Sequence, residues 1–160
     1  MKVLLDMDGP IADLHQSLCD LHKRPNAPFG HKAEDWGMTF DDFWNGVDRT
    51  FWQEIKPQPW AQELVSLMPR HWTICTCSID KECRIGKTDW LIAHDPMPII
   101  PPVFSCKKHR YATQDTLLID DSPENVELFK KAGGMSILFD VTAGLTQVIR
   151  EVLSCSTTSY

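Results

Sequence analysis

The residues with the clearest chemical potential are carboxylates that follow a short apolar run. Asp6 and Asp8 come directly after the run 2–5, are separated by one residue and precede Gly9. Residues i and i+2 of a strand point the same way, and because the chain turns at the strand end, the second carboxylate can swing over the first. One carboxylate could then attack while the other moves protons. A solvated acidic turn is the alternative.

A second acidic pair, Asp120 and Asp121, ends the apolar run 117–119. Adjacent carboxylates repel each other, so a buried strand that delivers two of them to one place suggests a bound cation. Together with Asp6 and Asp8 they would collect at one edge of the fold, and an all-carboxylate set favours Mg²⁺ over zinc. Helix capping by Asp121 or Ser122 is the alternative, and it is compatible with a metal site.

Two further segments offer groups for a phosphate. Thr76 ends the strand-like run 72–76 and precedes Cys77; a threonine hydroxyl and the amides of the turn can hold a phosphate oxygen. Lys107 and Lys108 precede the second acidic pair, and an ammonium there could neutralise a phosphoryl group. An ordinary strand end and a solvated basic turn are the alternatives.

The apolar pattern predicts the elements that must position these residues. Short runs predict buried strands at 2–6, 72–76, 99–104, 116–120 and 136–140. Helix-length segments separate most of them, so the predicted fold class is α/β, with a Rossmann-like parallel sheet and right-handed crossovers. Ser122 followed by Pro123 predicts the start of one helix, and Gly133 with Gly134 predicts its end.

The segment between the first two predicted strands is longer than a crossover needs. We predict that residues 15–68 form a small helical cap over the strand ends, where open parallel sheets bind their ligands. The core domain would then comprise 1–14 and 69–153, and 154–160 would be a polar tail. The cap aromatics either stack on a substrate base or form the cap's own core; the candidates are Trp36, Phe43, Trp44 and Trp52.

Composition limits the classes of protein to consider. The 160 residues are 42% hydrophobic and 24% charged, which is typical of one folded domain. The net charge of −6 argues against stable nucleic-acid binding. No signal peptide or long apolar run is present, so we expect a cytoplasmic protein without a membrane partner. We expect the six cysteines to be reduced, and the sequence leaves a homodimer open.

In chain order, these residues resemble the motifs of the haloacid dehalogenase (HAD) superfamily of phosphatases: Asp6-x-Asp8, Thr76, a lysine, then Asp120-Asp121. The 5′(3′)-deoxyribonucleotidase family is the closest resemblance. Residues 6–13 are similar to its first motif, and residues 74–76 are similar to its second. The segment 51–59, Phe-Trp-Gln-Glu-Ile-Lys-Pro-Gln-Pro, is similar to the segment in which that family returns from the cap to the core. The similarity extends over residues 1–140.

The resemblance implies a Mg²⁺-dependent hydrolase whose substrate is a small phosphomonoester, namely a (deoxy)nucleoside monophosphate. Asp6 would be the nucleophile that becomes an aspartyl-phosphate, and Asp8 the general acid and base. The implied phosphate-binding residues are Thr76, Cys77 and Lys108, with Lys107 as the alternative lysine. The implied metal ligands are Asp6, Asp8 through its backbone carbonyl, Asp120 and Asp121, with Asp121 favoured as the direct ligand of the pair.

Three positions depart from the family pattern. Pro10 stands where Val or Thr is usual and removes a backbone N–H near the phosphate loop; Cys77 replaces a serine, and Cys106 replaces a basic residue. The alternatives are a HAD phosphatase acting on a sugar phosphate or a polynucleotide 3′ end, and a catalytically silent HAD-fold binding module. The acidic net charge disfavours a polynucleotide. Pro10 favours the silent module, whereas the intact set of Asp6, Asp8, Lys108 and Asp121 argues against it.

Overall fold

A parallel sheet forms the centre of the computed structural model, which describes residues 1–94, 98, 100–147 and 149–150. The strands are β1 Lys2–Leu5, β2 Trp72–Thr76, β3 Val103–Phe104, β4 Thr116–Asp120 and β5 Met135–Leu138. Their order is β3-β2-β1-β4-β5, and every neighbouring pair is parallel. The predicted Rossmann-like α/β fold is confirmed.

The central strands are apolar on both faces because helices cover the sheet on both sides. On one face, Val3, Leu5 and Ile74 belong to the larger hydrophobic core, which continues into the segment between β1 and β2. On the other face, Leu4 and Phe129 belong to a smaller core. Burial of the central strands fixes their register, since a one-residue shift would exchange the two faces.

The two outer strands differ from their predicted bounds. Strand β3 begins only at Val103, because Pro101 and Pro102 have no N–H to donate to a ladder; residue 99, the predicted start, lies outside the described residues. The carbonyl of Pro101 instead accepts a hydrogen bond from Thr73 Oγ1 at 2.9 Å. Strand β5 ends at Leu138, and Asp140 forms a turn in which its Oδ1 accepts from the Thr142 N–H at 2.9 Å.

The helices are α1 Leu14–Leu21, α2 Phe40–Trp44, α3 Arg49–Glu54, α4 Ala61–Ser66, α5 Lys81–His94 and α6 Pro123–Lys131, with 3₁₀ turns at Ala33–Trp36 and Lys108–Tyr111. The first four lie between β1 and β2, as predicted. Helix α6 begins after Ser122, whose side chain accepts from the Asn125 N–H at 3.3 Å, so the predicted cap is confirmed. Within the described ranges, no helix is both long and apolar enough to cross a bilayer.

The segment that leaves the sheet after β1 lies beside the segment that returns towards β2. The Asp13 N–H donates to the Lys56 carbonyl at 2.8 Å, and the Gln58 N–H donates to the Ile11 carbonyl at 2.8 Å. The helical segment between these two points, residues 14–55, is called the insertion below. The predicted domain boundaries at 14/15 and 68/69 stay predictions, and the predicted tail 154–160 lies outside the described residues.

Close packing of α3 on α5 attaches the insertion to the helix that follows β2. A Cβ atom on Gly86 would lie 2.6 Å from the Arg49 carbonyl oxygen and 2.7 Å from the Trp52 Cβ, so only glycine permits this approach. The Arg49 guanidinium also pairs with Asp89 at 2.6 Å. The contact places the Trp52 ring beside Lys87, the residue that follows Gly86.

Candidate active site

Three strand ends bring polar side chains to one edge of the sheet. Strand β1 lies between β2 and β4, so Asp6, directly after β1, is flanked by Thr76 at the end of β2 and Asp120 at the end of β4. The Asp6 N–H donates to the Ile119 carbonyl at 2.8 Å, which continues the ladder to this point. The structure therefore brings these three predicted residues together.

Lys108 forms a buried ion triad with two of the carboxylates. Its Nζ lies 2.7 Å from Asp6 Oδ2 and 2.6 Å from Asp120 Oδ2. All three residues are buried, whereas the Lys107 side chain is exposed. Of the two lysines that the sequence left open, Lys108 is the one in the site.

One ammonium does not offset the negative charge gathered here. Burial raises the pKa of Asp6 to about 7 against the attraction of Lys108, and Asp120 and Asp8 raise it further. Burial also raises the pKa of Asp121 to about 8, with Asp6 and Asp120 adding to the effect. Burial alone would lower the pKa of Lys108, but the carboxylates beside it hold that pKa well above its usual value. The cluster thus has an excess of negative charge that a cation would offset.

The donor set fits Mg²⁺. Asp6, Asp120 and Asp121 each offer a carboxylate oxygen, and these oxygens lie within 4.8 Å of one another. Hard divalent cations prefer such oxygen-only sites. Gly9 makes room for the third carboxylate, because a Cβ atom there would lie 2.2 Å from Asp121 Oδ2, and its φ of +92° also favours glycine. The Asp8 side chain is not part of this group.

A second buried lysine, Lys87 of α5, holds the Asp8 carboxylate. Its Nζ pairs with Asp8 Oδ2 and donates to Thr76 Oγ1 at 3.0 Å and to the Cys77 carbonyl at 2.7 Å. The ammonium also lies 4.5 Å from the centre of the Trp52 ring, a favourable cation–π distance. Asp8 Oδ1, by contrast, is buried with no hydrogen-bond partner in the described part of the chain.

Sequence reasoning missed Lys87, although a signal was present. At helical spacing, Cys83, Lys87 and Leu91 share one face of α5, and all three are buried. A lysine on an otherwise apolar helix face needs a buried counter-charge. The pattern alone did not indicate which carboxylate would supply it.

The expectation that all cysteines are reduced is wrong for two of them. Cys77 and Cys106 form a disulfide, with their Cα atoms 4.3 Å apart, while Cys19, Cys75 and Cys83 are free and buried; residue 155 lies outside the described part. The pairing was not evident because 29 positions separate the two cysteines, and only the adjacency of β2 and β3 brings them together. As a disulfide, Cys77 has no S–H to offer a phosphate, so its predicted role there is limited to backbone groups.

A cavity of about 250 Å³ lies over these groups. Ionisable side chains line it: Asp6, Asp8 and Asp121 after strand ends, Lys87 of α5 and Lys108 of the second 3₁₀ turn. Four rings of the insertion line the same cavity: His31, Phe40, Trp44 and Trp52. The insertion thus gives this cavity an aromatic wall.

The structure divides the predicted cap aromatics into two groups. Trp44 and Trp52 line the cavity, with ring centres 6.2 Å apart and nearly parallel planes. Trp36 and Phe43 do not line it; they are buried, with rings edge to face at 5.2 Å, and belong to the part of the larger hydrophobic core that lies in the insertion. Phe40, which the sequence did not single out, is 66% exposed and lines the cavity.

The loop that contains Pro10 is stabilised without an N–H at that position. The N–H groups of Ile11 and Ala12 both donate to the Met7 carbonyl. The Pro10 carbonyl accepts from Trp60 Nε1 at 2.9 Å. The proline is therefore compatible with a closed loop beside Asp6.

Comparison with known proteins finds relatives of this chain by sequence. No protein-family model matches the chain. Two Staphylococcus aureus proteins, from strains MSSA476 and Mu50, are each 29% identical to it over 143 residues, or 86% of this chain and 77% of their own. Both are named "Putative 5′(3′)-deoxyribonucleotidase". The resemblance predicted from the motifs is confirmed.

One solved structure also aligns with the chain. It is described as "The crystal structure of a hydrolase from Pseudomonas syringae" and is 15% identical in sequence. The alignment covers 95% of this chain and 89% of that one, with a TM-score of 0.48.

Replacing Lys108 with methionine should lower the free energy of unfolding at pH 8 by about 3–5 kcal/mol, because buried carboxylates would lose their counter-charge. Lys107→Met, at the exposed neighbouring position, should change it by less than about 0.5 kcal/mol. Denaturant titration of both variants measures the difference.

The effect of Lys108→Met should be smaller at pH 5. The folded-state pKa of Asp6 is raised from 3.8 to about 7, and losing Lys108 would raise it further. A raised carboxyl pKa costs stability as the pH rises from 3.8 towards the folded value, so most of that cost is absent at pH 5. Equal effects of the two lysine substitutions would contradict the ion triad.

Proposed function

We propose that this chain is a Mg²⁺-dependent phosphatase that hydrolyses (deoxy)nucleoside monophosphates through an aspartyl-phosphate on Asp6. The observation that carries the proposal is the convergence of Asp8 with the cluster of Asp6, Asp120 and Asp121 at one sheet edge, in a cavity that also has an aromatic wall. The names of the Staphylococcus aureus relatives support the substrate class.

Asp6 is the proposed nucleophile. One of its carboxylate oxygens forms a bond to phosphorus while the ester P–O bond breaks, which leaves an acyl phosphate and an alkoxide. The Met7 N–H donates to Asp6 Oδ1 at 2.8 Å and Lys108 holds Oδ2, so the carboxylate is oriented before substrate binds. Such preorganisation reduces the entropy cost of reaching the reacting geometry.

Asp8 is the proposed general acid and base. It gives a proton to the leaving alkoxide, then takes a proton from the water that attacks the acyl phosphate, so that phosphate is released and Asp6 is regenerated. Lys87 and Thr76 both bind Oδ2, while Oδ1 has no partner within the described residues. Oδ1 is therefore the oxygen available to carry the proton.

Mg²⁺ would be held by the carboxylates of Asp6, Asp120 and Asp121, with the Asp8 backbone carbonyl as the further ligand that the resemblance implies. When bound, the ion would offset the charge of the phosphate and of the carboxylates. Asp120 already accepts hydrogen bonds from Lys108, the Ser122 N–H and Asn125. Asp121 is thus the more available ligand of the pair.

The cavity favours a nucleotide over a simple sugar phosphate. Trp44 and Phe40 offer aromatic surface in the cavity that the carboxylates also line. Stacking of a base on an aromatic ring contributes about 1–3 kcal/mol in single-strand binders. A sugar phosphate has no planar group to use this surface.

The first test is phosphate release from a panel of nucleoside monophosphates and deoxynucleoside monophosphates, with sugar phosphates for comparison. We expect turnover of nucleotides, and Asp6→Asn should lower it by more than about 10³-fold because an amide cannot attack phosphorus. Asp115→Asn, at an exposed position, is the control for charge loss alone. Preferential turnover of sugar phosphates, or more than a few per cent activity in Asp6→Asn, would refute the assignment.

The second test concerns the metal. A chelator should abolish activity and Mg²⁺ should restore it, whereas Ca²⁺ should substitute poorly because it tolerates looser coordination. Asp121→Ala should raise the Mg²⁺ concentration needed for half-maximal activity by about tenfold or more. Asp120→Ala should shift that Mg²⁺ titration less and lower thermal stability more, since it removes a partner of buried Lys108. Unchanged titrations in both variants would mean that the pair caps α6 and binds no metal.

The third test distinguishes a ring that lines the cavity from a ring of the insertion that is buried in the hydrophobic core. Trp44→Ala should raise KM for a nucleotide by about 5–100-fold through lost stacking, with little change for deoxyribose 5-phosphate, which has no base. Phe43→Ala should instead lower the free energy of unfolding by about 3–5 kcal/mol, because it empties a buried site. Equal losses on both substrates in Trp44→Ala would contradict base stacking.

A further inference from the structure

His31 is a half-buried imidazole that the proposed mechanism does not use. It belongs to the insertion, between α1 and the first 3₁₀ turn, and it lines the cavity together with Asp8 and Trp44. Its Nε2 is buried and has no hydrogen-bond partner within residues 1–94, 98, 100–147 and 149–150. A buried polar atom without a partner costs stability, so at a cavity wall it points to a partner that a ligand supplies.

The chemistry of the ring limits what that partner is. Burial lowers the pKa of His31, and Asp8 opposes this more than any other group does, so the ring is neutral near pH 7 and lies in the field of the Asp8 carboxylate. A neutral imidazole has one donor and one acceptor nitrogen, which suits a hydroxyl group. The phosphate instead has the ammonium groups of Lys87 and Lys108 nearby, which offer it full charges.

We propose that His31 Nε2 forms a hydrogen bond with a sugar hydroxyl of the bound nucleotide. The inference rests on the proposed function, in which Asp8 protonates the leaving oxygen. That oxygen belongs to the sugar, so a ring close to Asp8 is close to the sugar. The planar base would stack on the ring of Trp44, which lines the same cavity. His31 is thus a binding residue that selects for the sugar.

The test compares three substrates with the same base: a ribonucleoside 5′-monophosphate, its 2′-deoxy analogue and its 2′,3′-dideoxy analogue. Wild-type protein should lose roughly tenfold in kcat/KM when the contacted hydroxyl is absent, the size expected for one hydrogen bond. His31→Phe should lose that preference, whereas His31→Gln, which keeps a polar group, should retain part of it. Turnover of para-nitrophenyl phosphate, which has no sugar, should stay within about twofold of wild type in both variants.

His15→Phe is the matched control. His15 is another imidazole of the insertion, 4.7 Å from the Phe29 ring, and it is not among the residues that line the cavity. This variant should keep the wild-type preference among the three sugars. Melting temperatures of all variants distinguish loss of binding from loss of fold.

The outcomes separate this inference from the proposed function. If wild type hydrolyses nucleotides and both His31 variants keep its sugar preference, the sugar contact is wrong and the nucleotidase proposal stands. A parallel loss on para-nitrophenyl phosphate would assign His31 to the phosphate or the fold, and an equal loss on all three nucleotides with unchanged turnover of para-nitrophenyl phosphate would assign it to the base; either overturns the proposal. If wild type hydrolyses para-nitrophenyl phosphate and no nucleotide, the proposed substrate class fails and this inference fails with it.

Discussion

The crowding of buried carboxylates at the carboxyl edge of the sheet is the constraint on which the rest of the site depends. Asp6, Asp120 and Asp121 lie within reach of one cation, and Lys108 is the one cation buried among them in the described part of the chain. Burial raises the pKa of Asp6 and of Asp121, and the neighbouring carboxylates raise both further. A fold with this cluster needs a counter-charge, and a cation at this point offsets the repulsion.

The two buried lysines give the members of the Asp-x-Asp pair different surroundings. Asp6 shares the ammonium of Lys108 with Asp120. Asp8 instead pairs with Lys87 of α5, and its Oδ1 stays without a partner in the described part of the chain. Two carboxylates separated by one residue can take different chemical roles because their environments differ in this way.

Packing joins the aromatic wall to the charged groups. Gly86 lets α3 approach α5 closely, and this puts the Trp52 ring over the Lys87 ammonium. Trp52 then stacks on Trp44, which faces the cavity. A change in the position of the insertion would therefore alter both the cavity wall and the ring that lies over Lys87, the partner of Asp8. In the proposed mechanism, substrate specificity and proton transfer would then depend on the same helix–helix contact.

The sequence by itself determined the bounds of β2 and β4, the parallel sheet, the cap of α6 and the motif order, because these depend on local periodicity and on residues adjacent in the chain. Only the tertiary structure decided that Lys108 and not Lys107 is in the site, that Lys87 reaches Asp8, and that Cys77 pairs with Cys106. It also decided that Trp44 faces the cavity while Phe43 packs inside the insertion. Each of these features depends on the direction of a side chain and on contacts between segments that are distant in the chain. The local spacing of residues specifies neither the direction nor the contacts.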